Sequence, residues 1–158
     1  MKSGFIKGIM IRRRKEDEPL PFELLLDADP SMEAISKYLT SSEVYVAVLD
    51  VQVVGVFVLY PLDTAALEIK NISVKENMQG LGIGELMLKY AIEIARIKRA
   101  REIVIGTSNS SIGQLYLYQK VGFEITDIRY NFFLNNYPGP IFENGIQCKH
   151  MIVLKNKL

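Results

Sequence analysis

Residues 67–97 read LEIKNISVKENMQGLGIGELMLKYAIEIARI, and the reading of this stretch decides the fold. It begins as a strand, passes a turn rich in glycine (Gly80, Gly82, Gly84) and continues as a helix. In the helical half Ile83, Leu86, Met87, Tyr90, Ala91, Ile94 and Ile97 recur at three- and four-residue steps, with Glu85, Lys89, Glu93 and Arg96 opposite. Glycines between a strand and a helix let the backbone approach a ligand closely. The free N–H groups of the first helical turn point into the same gap, which makes it an anion site. Two phosphate motifs fail here. A P-loop would need glycine where Glu85 stands, and the last glycine of the dinucleotide fingerprint would fall on Glu85 or Met87.

Composition narrows the classes. The chain has 158 residues, 49% of them hydrophobic, with positive mean hydropathy, which suits one compact domain spanning 1–158 with residues 1–9 as a loose extension. A net charge of +1 gives no global field for nucleic acid or an acidic membrane surface. The basic run Arg12–Lys15 is followed at once by Glu16, Asp17 and Glu18 and reads as a solvated strand end. One cysteine, Cys148, rules out an intramolecular disulfide framework, and no cluster of His, Cys and carboxylates suggests a metal. Apolar runs such as Val53–Tyr60 are too short to span a bilayer, and no signal peptide is evident. The expectation is a soluble cytoplasmic protein.

The remaining elements follow in order. Phe5–Arg13 can form a first strand, and Pro19–Leu26 and Ser31–Leu39 two short helices, with Ser31 as N-cap of the second. Val44–Leu49 and Val51–Tyr60 read as a hairpin turning near Asp50, with Gly55 marking a bulge or a close backbone contact. Leu67 and Ile69 occupy odd positions but Ile72 and Val74 even ones. Either a one-residue bulge flips the apolar face between Ile69 and Ile72, or the strand is buried on both faces. Ile103–Ile105 is a short strand closed by Gly106, a helix runs from the Thr107–Ser111 cap region to about Lys120, and Gly122 ends it. Phe123, Ile125, Ile128, Tyr130 and Phe132 suggest a strand, and Met151–Leu154 the last one. This order implies one mixed sheet with helices on its faces. Residues 131–147 mix four aromatics with Pro138, Gly139, Pro140 and Gly145, and read as neither helix nor regular strand.

Two motifs carry a resemblance to a known family. Gln79-Gly80-Leu81-Gly82-Ile83-Gly84 fits Q/R-x-x-G-x-G, and Leu117-Tyr118-Gln119-Lys120-Val121-Gly122-Phe123 follows after the expected strand. Together they resemble the GCN5-related N-acetyltransferases, the GNAT family, over residues 67–127. The resemblance implies an α/β (α+β) fold: a mixed, mostly antiparallel sheet of six to seven strands with helices on both faces. It implies acetyl-CoA as co-substrate, no metal, and transfer of acetyl to a primary amine, small or peptidyl, by direct attack in a ternary complex. The alternative is a non-catalytic acyl-CoA-binding module of the same fold. No nucleic acid or membrane partner is implied, and a homodimer stays open.

The site residues follow residue by residue. The pyrophosphate is expected on the backbone of Gln79, Gly80, Leu81, Gly82, Ile83, Gly84 and Glu85, and the pantetheine arm along Ile72, Ser73 and Val74. There the family's parallel strands, here those ending near Val74 and Gly106, splay apart. Tyr118 is the expected general acid, because a phenol keeps its proton until a thiolate forms; Tyr116, two residues earlier, points elsewhere on a helix. Glu68 is the expected base, with an outward-facing glutamate paired to Lys70 as the competing reading. Where the family often carries a pantetheine-contacting Asn the chain has Ser111, with Asn109 two residues earlier, and either can make the contact. Phe133, Tyr137 and Phe142 are expected to wall the acceptor pocket.

Overall fold

The computed structural model describes residues 7–158, so the expected strand start at Phe5 and most of the N-terminal extension lie outside the described residues. The first strand, β1, is short, Met10–Arg13. At its end Arg12 forks onto Glu18, so the acidic run does neutralise the basic one. Next come helices α1 (Phe22–Ala28) and α2 (Met32–Leu39), where Ser31 Oγ accepts the Ala34 N–H at 3.1 Å as an N-cap. Strands β2 (Glu43–Leu49) and β3 (Gln52–Pro61) form the hairpin. Its turn places both Asp50 and Val51 at positive φ, 47° and 62°, the backbone of a type I′ turn. A β-branched residue resists that conformation by roughly 1–2 kcal/mol, and Val51 is fully exposed. Val51→Gly is therefore expected to raise the melting temperature by about 2 °C, relief of strain outweighing the added chain entropy; an unchanged or lower value in a thermal melt would contradict it.

Strand β4 (Ala66–Val74) settles the phase question. Val58 pairs with Asn71 but Leu59 with Ile69, so Lys70 is the extra residue of a bulge. Ile69 packs into the core beneath α3 (Ile83–Ile97) and α4 (Ile112–Lys120). Beyond the bulge, Asn71 instead reaches the α1–α2 side, donating to the Leu25 carbonyl at 2.9 Å. Gly55 serves both expected ends: the β2–β3 register shifts beside it, and a Cβ there would lie 2.9 Å from Met87 Sδ.

Strand β5 runs from Glu102 to Ser108, past Gly106, because Gly106 lets Met151 of the next strand come close: a Cβ would meet its Sδ at 2.7 Å. Strand β6 is Glu124–Arg129, and Phe132 does not extend it. Asn131 turns left-handed at φ 58°, and Phe132–Asn136 forms a one-turn helix, α5. Residues 142–147 are also more regular than expected. Phe142–Glu143 (β7) and Ile146–Gln147 (β8) pair across Asn144 and Gly145, both at positive φ. Strand β9, Met151–Lys157, closes the main sheet.

The main sheet has seven strands in the order β1-β2-β3-β4-β5-β9-β6, all neighbours antiparallel except β4 and β5. One face carries α1 and α2 over Val44, Val46, Val56 and Val58. The other carries α3 and α4 over Phe57, Leu59, Ile69, Ile103 and Ile105. The stripe that α3 buries is Ile83, Met87, Leu88, Ala91, Ile92 and Ala95, whereas Ile97 is exposed. The expected stripe ran askew because the helix is apolar over about two-thirds of its girth, and the buried part is centred away from Leu86 and Ile97, towards Leu88 and Ile92 at the other edge of that arc. Among the described residues no helix is long and apolar enough to cross a membrane.

Candidate active site

The parallel β4–β5 ladder runs from Ala66/Glu102 to Ile69/Ile105 and stops there, at the bulge. Past it, β4 pairs on its other edge with β3, and β5 follows β9 to Ser108. Ile72, Ser73 and Val74 thus lie on a half-buried strand end whose β5-side edge is open. The splay expected near Val74 and Gly106 opens earlier, and the bulge is its cause.

A single 3₁₀ turn, Glu76–Met78, joins β4 to the glycine turn. The Gln79 side chain donates to the Val74 carbonyl at 3.0 Å, tying the turn to the strand end. Gly80 and Gly82 stand at φ 76° and 86°, and a Cβ on either would meet no protein atom within 4 Å. The first helical bond of α3 is Leu86 N–H to Gly82 O, so the N–H groups of Ile83, Gly84 and Glu85 have no intrahelical partner, and no side chain among the described residues caps them. Donors facing open space at a helix N-terminus fit a phosphate. The Glu85 side chain faces away, bound by Lys89 and Lys120 at 3.1 Å each, which links α3 to α4 and lowers its pKa.

Tyr118 is buried on α4 and packs beside Phe123, while Tyr116 is 68% exposed, so the helix phase separates them as expected. Burial first, and the Glu143 carboxylate second, hold the Tyr118 phenol well above its usual range. Glu68 is also buried, but on the α1–α2 side of β4, where Lys70 Nζ sits 3.0 Å from Oε2 and 5.3 Å from the centre of the Tyr60 ring. The pairing with Lys70 is real, and it is partly buried rather than outward.

Neither pantetheine candidate is idle. Asn109 donates to the Gln147 carbonyl at 3.1 Å and accepts from the N–H groups of Lys149 and His150 at 2.8 and 3.0 Å. Ser111, buried at the N-terminus of α4, donates from Oγ to Glu143 Oε2 at 2.7 Å. Cys148 is buried against Ser110 Oγ at 3.0 Å, and His150 Nδ1 accepts from Asn131 N–H at 2.9 Å.

On the α1–α2 face, a cleft of about 400 Å³ opens between α2, α5 and the bulge, its aromatic walls being Tyr38, Tyr60, Phe132 and Tyr137. Lys70 closes one end of it. Tyr137 donates to Asp29 Oδ1 at 2.8 Å, which fastens α5 to the α1–α2 junction, and Phe133 stacks on Tyr137 with ring centres 5.7 Å apart. Tyr38, pushed up to about 12 by burial against the opposing Asn71 hydrogen bond, lies in the same cluster. Of the aromatics expected to wall a pocket, Tyr137 does so, Phe133 backs it, and Phe142 stands exposed on β7 outside the cleft. The sequence reading missed Asp29, Tyr38, Asn71 and Glu143. Each is a lone polar residue without motif spacing, brought in by tertiary packing. Asn71 is the sharpest case: its Oδ1 is buried beside the splay without a partner among the described residues.

Comparison with known proteins agrees with this geometry. The profile of the acetyltransferase (GNAT) domain matches residues 40–125. An uncharacterized N-acetyltransferase of Bacillus subtilis is 47% identical over 133 residues, covering 84% of this chain and 86% of that protein. A GNAT family acetyltransferase from Elizabethkingia anophelis, solved with acetyl-CoA bound, superposes with TM-score 0.95 at 53% identity, covering 97% of this chain and all of that one. An IAA acetyltransferase from Bacillus cereus follows at TM-score 0.92 and 42% identity, covering 96% and 100%. With a seven-stranded sheet that splays at β4 and β5, a glycine turn of the Q-x-x-G-x-G type, and these relatives over nearly its whole length, the chain belongs to the GNAT family of acetyltransferases.

Proposed function

We propose that the protein transfers the acetyl group of acetyl-CoA to a primary amine by direct attack in a ternary complex. The observation that carries this reading is the end of the β4–β5 ladder at Ile69/Ile105, with open glycine-turn donors on one side and buried Tyr118 on α4. The acetyl-CoA held by the Elizabethkingia relative at 53% identity supports it. The backbone N–H groups of Ile83, Gly84 and Glu85 receive the pyrophosphate. Gly80 and Gly82 leave the room a side chain would take, with Gln79 and Leu81 framing the turn. Pantetheine amides pair with the open edge of Ile72–Val74 as an added strand, passing Ser111, with Asn109 bracing the loop behind it.

The chemistry requires a neutral amine and a protonated leaving group. An alkylamine with a pKa near ~10.4 is mostly charged at neutral pH and must lose a proton. As its nitrogen bonds to the carbonyl carbon and the C–S bond breaks, the Tyr118 hydroxyl gives its proton to the sulfur. Burial keeps the phenol protonated at neutral pH, so the proton is in place when the thiolate forms. Glu68 takes the amine's proton only if the incoming ammonium displaces Lys70 from it.

The acceptor occupies the aromatic cleft on the α1–α2 face, with Tyr137 and, behind it, Phe133 as its wall; Phe142 stands exposed outside it. Tyr137→Ala is expected to raise the amine KM about tenfold while the acetyl-CoA KM stays put. The test of the reading is formation of amide and free CoA thiol with a panel of amines. Acetyl-CoA binding without amide from any of them would overturn the transfer.

A further inference from the structure

We propose that Glu143, carried into the site by the β7–β8 hairpin, is the carboxylate that takes the proton of the acceptor amine. The inference rests on the acetyl-transfer reading above and names a residue that no motif of the sequence marks.

The placement is built, not incidental. Strand β7 alternates: Phe142 points out, 63% exposed, and Glu143 points in toward α4. Its Oε2 accepts from Ser111 Oγ at 2.7 Å, and among the described residues its Oε1 takes no hydrogen bond. Ser111 opens α4 and Tyr118 follows seven residues later, two turns along, so both lie on the same buried helix face. The hairpin is fixed on every side. Asn144 Nδ2 donates to the Ser110 carbonyl at 2.9 Å, Cys148 Sγ meets Ser110 Oγ, and Asn109 holds Gln147, Lys149 and His150. That network holds a half-buried carboxylate at the start of the α4 face that also carries the phenol expected to protonate the sulfur.

Glu68 is the competing carboxylate. It lies on the acceptor's side of β4, but its charge is already matched by Lys70 at 3.0 Å. Glu143 has a hydroxyl as partner and one oxygen to spare.

The proton balance closes. The neutral amine nitrogen bonds to the acetyl carbon, its proton passes to Glu143, and the C–S bond breaks as Tyr118 gives its proton to sulfur. This leaves a protonated carboxyl and a phenolate. The proton then passes from the carboxyl back to the more basic phenolate, and both residues are restored. Amide and CoA thiol leave, and the enzyme gains and loses nothing.

The bland alternative is that Glu143 only caps α4, whose first N–H groups favour a carboxylate. Glu143→Gln separates the two, since the amide oxygen still accepts from Ser111 and the volume is kept. With both substrates saturating, the expected result is a fall in kcat of roughly 10²–10³, with the melting temperature and the acetyl-CoA-induced shift retained. Should Gln fail to fold, Glu143→Ala assayed with added formate serves instead, and a formate-dependent rise in kcat supports the assignment. A kcat within threefold of the parent in either variant, or a loss confined to melting temperature and cofactor affinity, overturns it. If the parent makes no amide while binding acetyl-CoA, the transfer reading itself fails, and this assignment falls with it.

Discussion

Tyr118→Phe lowers kcat by roughly 10²–10⁴ while acetyl-CoA still stabilises the protein, if proton delivery to the departing thiolate limits turnover. The substitution removes one oxygen and keeps the ring packed beside Phe123, so a packing explanation for lost activity is largely excluded in advance. Tyr116→Phe serves as the control: that side chain is 68% exposed and faces away. Burial and Glu143 both push the phenol upward, which sets a pH signature. The acid works only while protonated, and it loses its proton as pH rises through its folded pKa. Because that value lies above the ordinary phenol range of ~10, kcat should show no descending limb from Tyr118 up to about pH 10. A descending limb near pH 9 in the parent that vanishes in Tyr118→Phe would place the phenol at an unshifted value and undo the electrostatic account. Retained kcat in Tyr118→Phe would remove the residue as acid altogether.

What the sequence disclosed, it disclosed where local rules and function coincide. The phase change between Ile69 and Ile72 offered a bulge as one of two readings, and the bulge at Lys70 lies in that interval, because strand periodicity is strict and an inserted residue must flip it. The glycine turn was legible because backbone conformation and ligand approach demand glycine at the same positions. The hairpin at Phe142–Gln147 should also have been read. Asn144-Gly145 is the strongest two-residue hairpin signal, but Pro138, Gly139 and Pro140 just upstream made the whole segment look irregular. Phe132 was assigned to a strand by apolar alternation, and Asn131 in the left-handed region broke that alternation into a helical turn. Glu143, Asp29 and Asn71 were beyond reach for a different reason. Each acts across a sequence gap of tens of residues, onto Ser111, Tyr137 and Leu25, and no local pattern encodes such a meeting.

The other large effect belongs to the glycine turn. At 100 times its Kd a ligand stabilises the native state by about 2.7 kcal/mol, and for a chain of this size that corresponds to a melting shift of about 5–11 °C with acetyl-CoA. Gly82→Asp is expected to abolish the shift. Aspartate is among the side chains that best tolerate positive φ, so at 86° the backbone cost is modest. A Cβ there meets no protein atom within 4 Å, so the variant has no internal clash to keep it from folding. The loss can then be assigned to what the new side chain does in the open space: its volume and negative charge occupy the place where the Ile83, Gly84 and Glu85 N–H groups meet a phosphate. Gly82→Ala separates the parts. It carries a larger share of the φ cost but no charge and only one carbon, so it should lower the apo melting temperature and keep most of the acetyl-CoA shift. Should Gly82→Asp fold and still give the full shift, the pyrophosphate does not lie on this helix end, and the cofactor must enter the splay between β4 and β5 from the other side of the sheet.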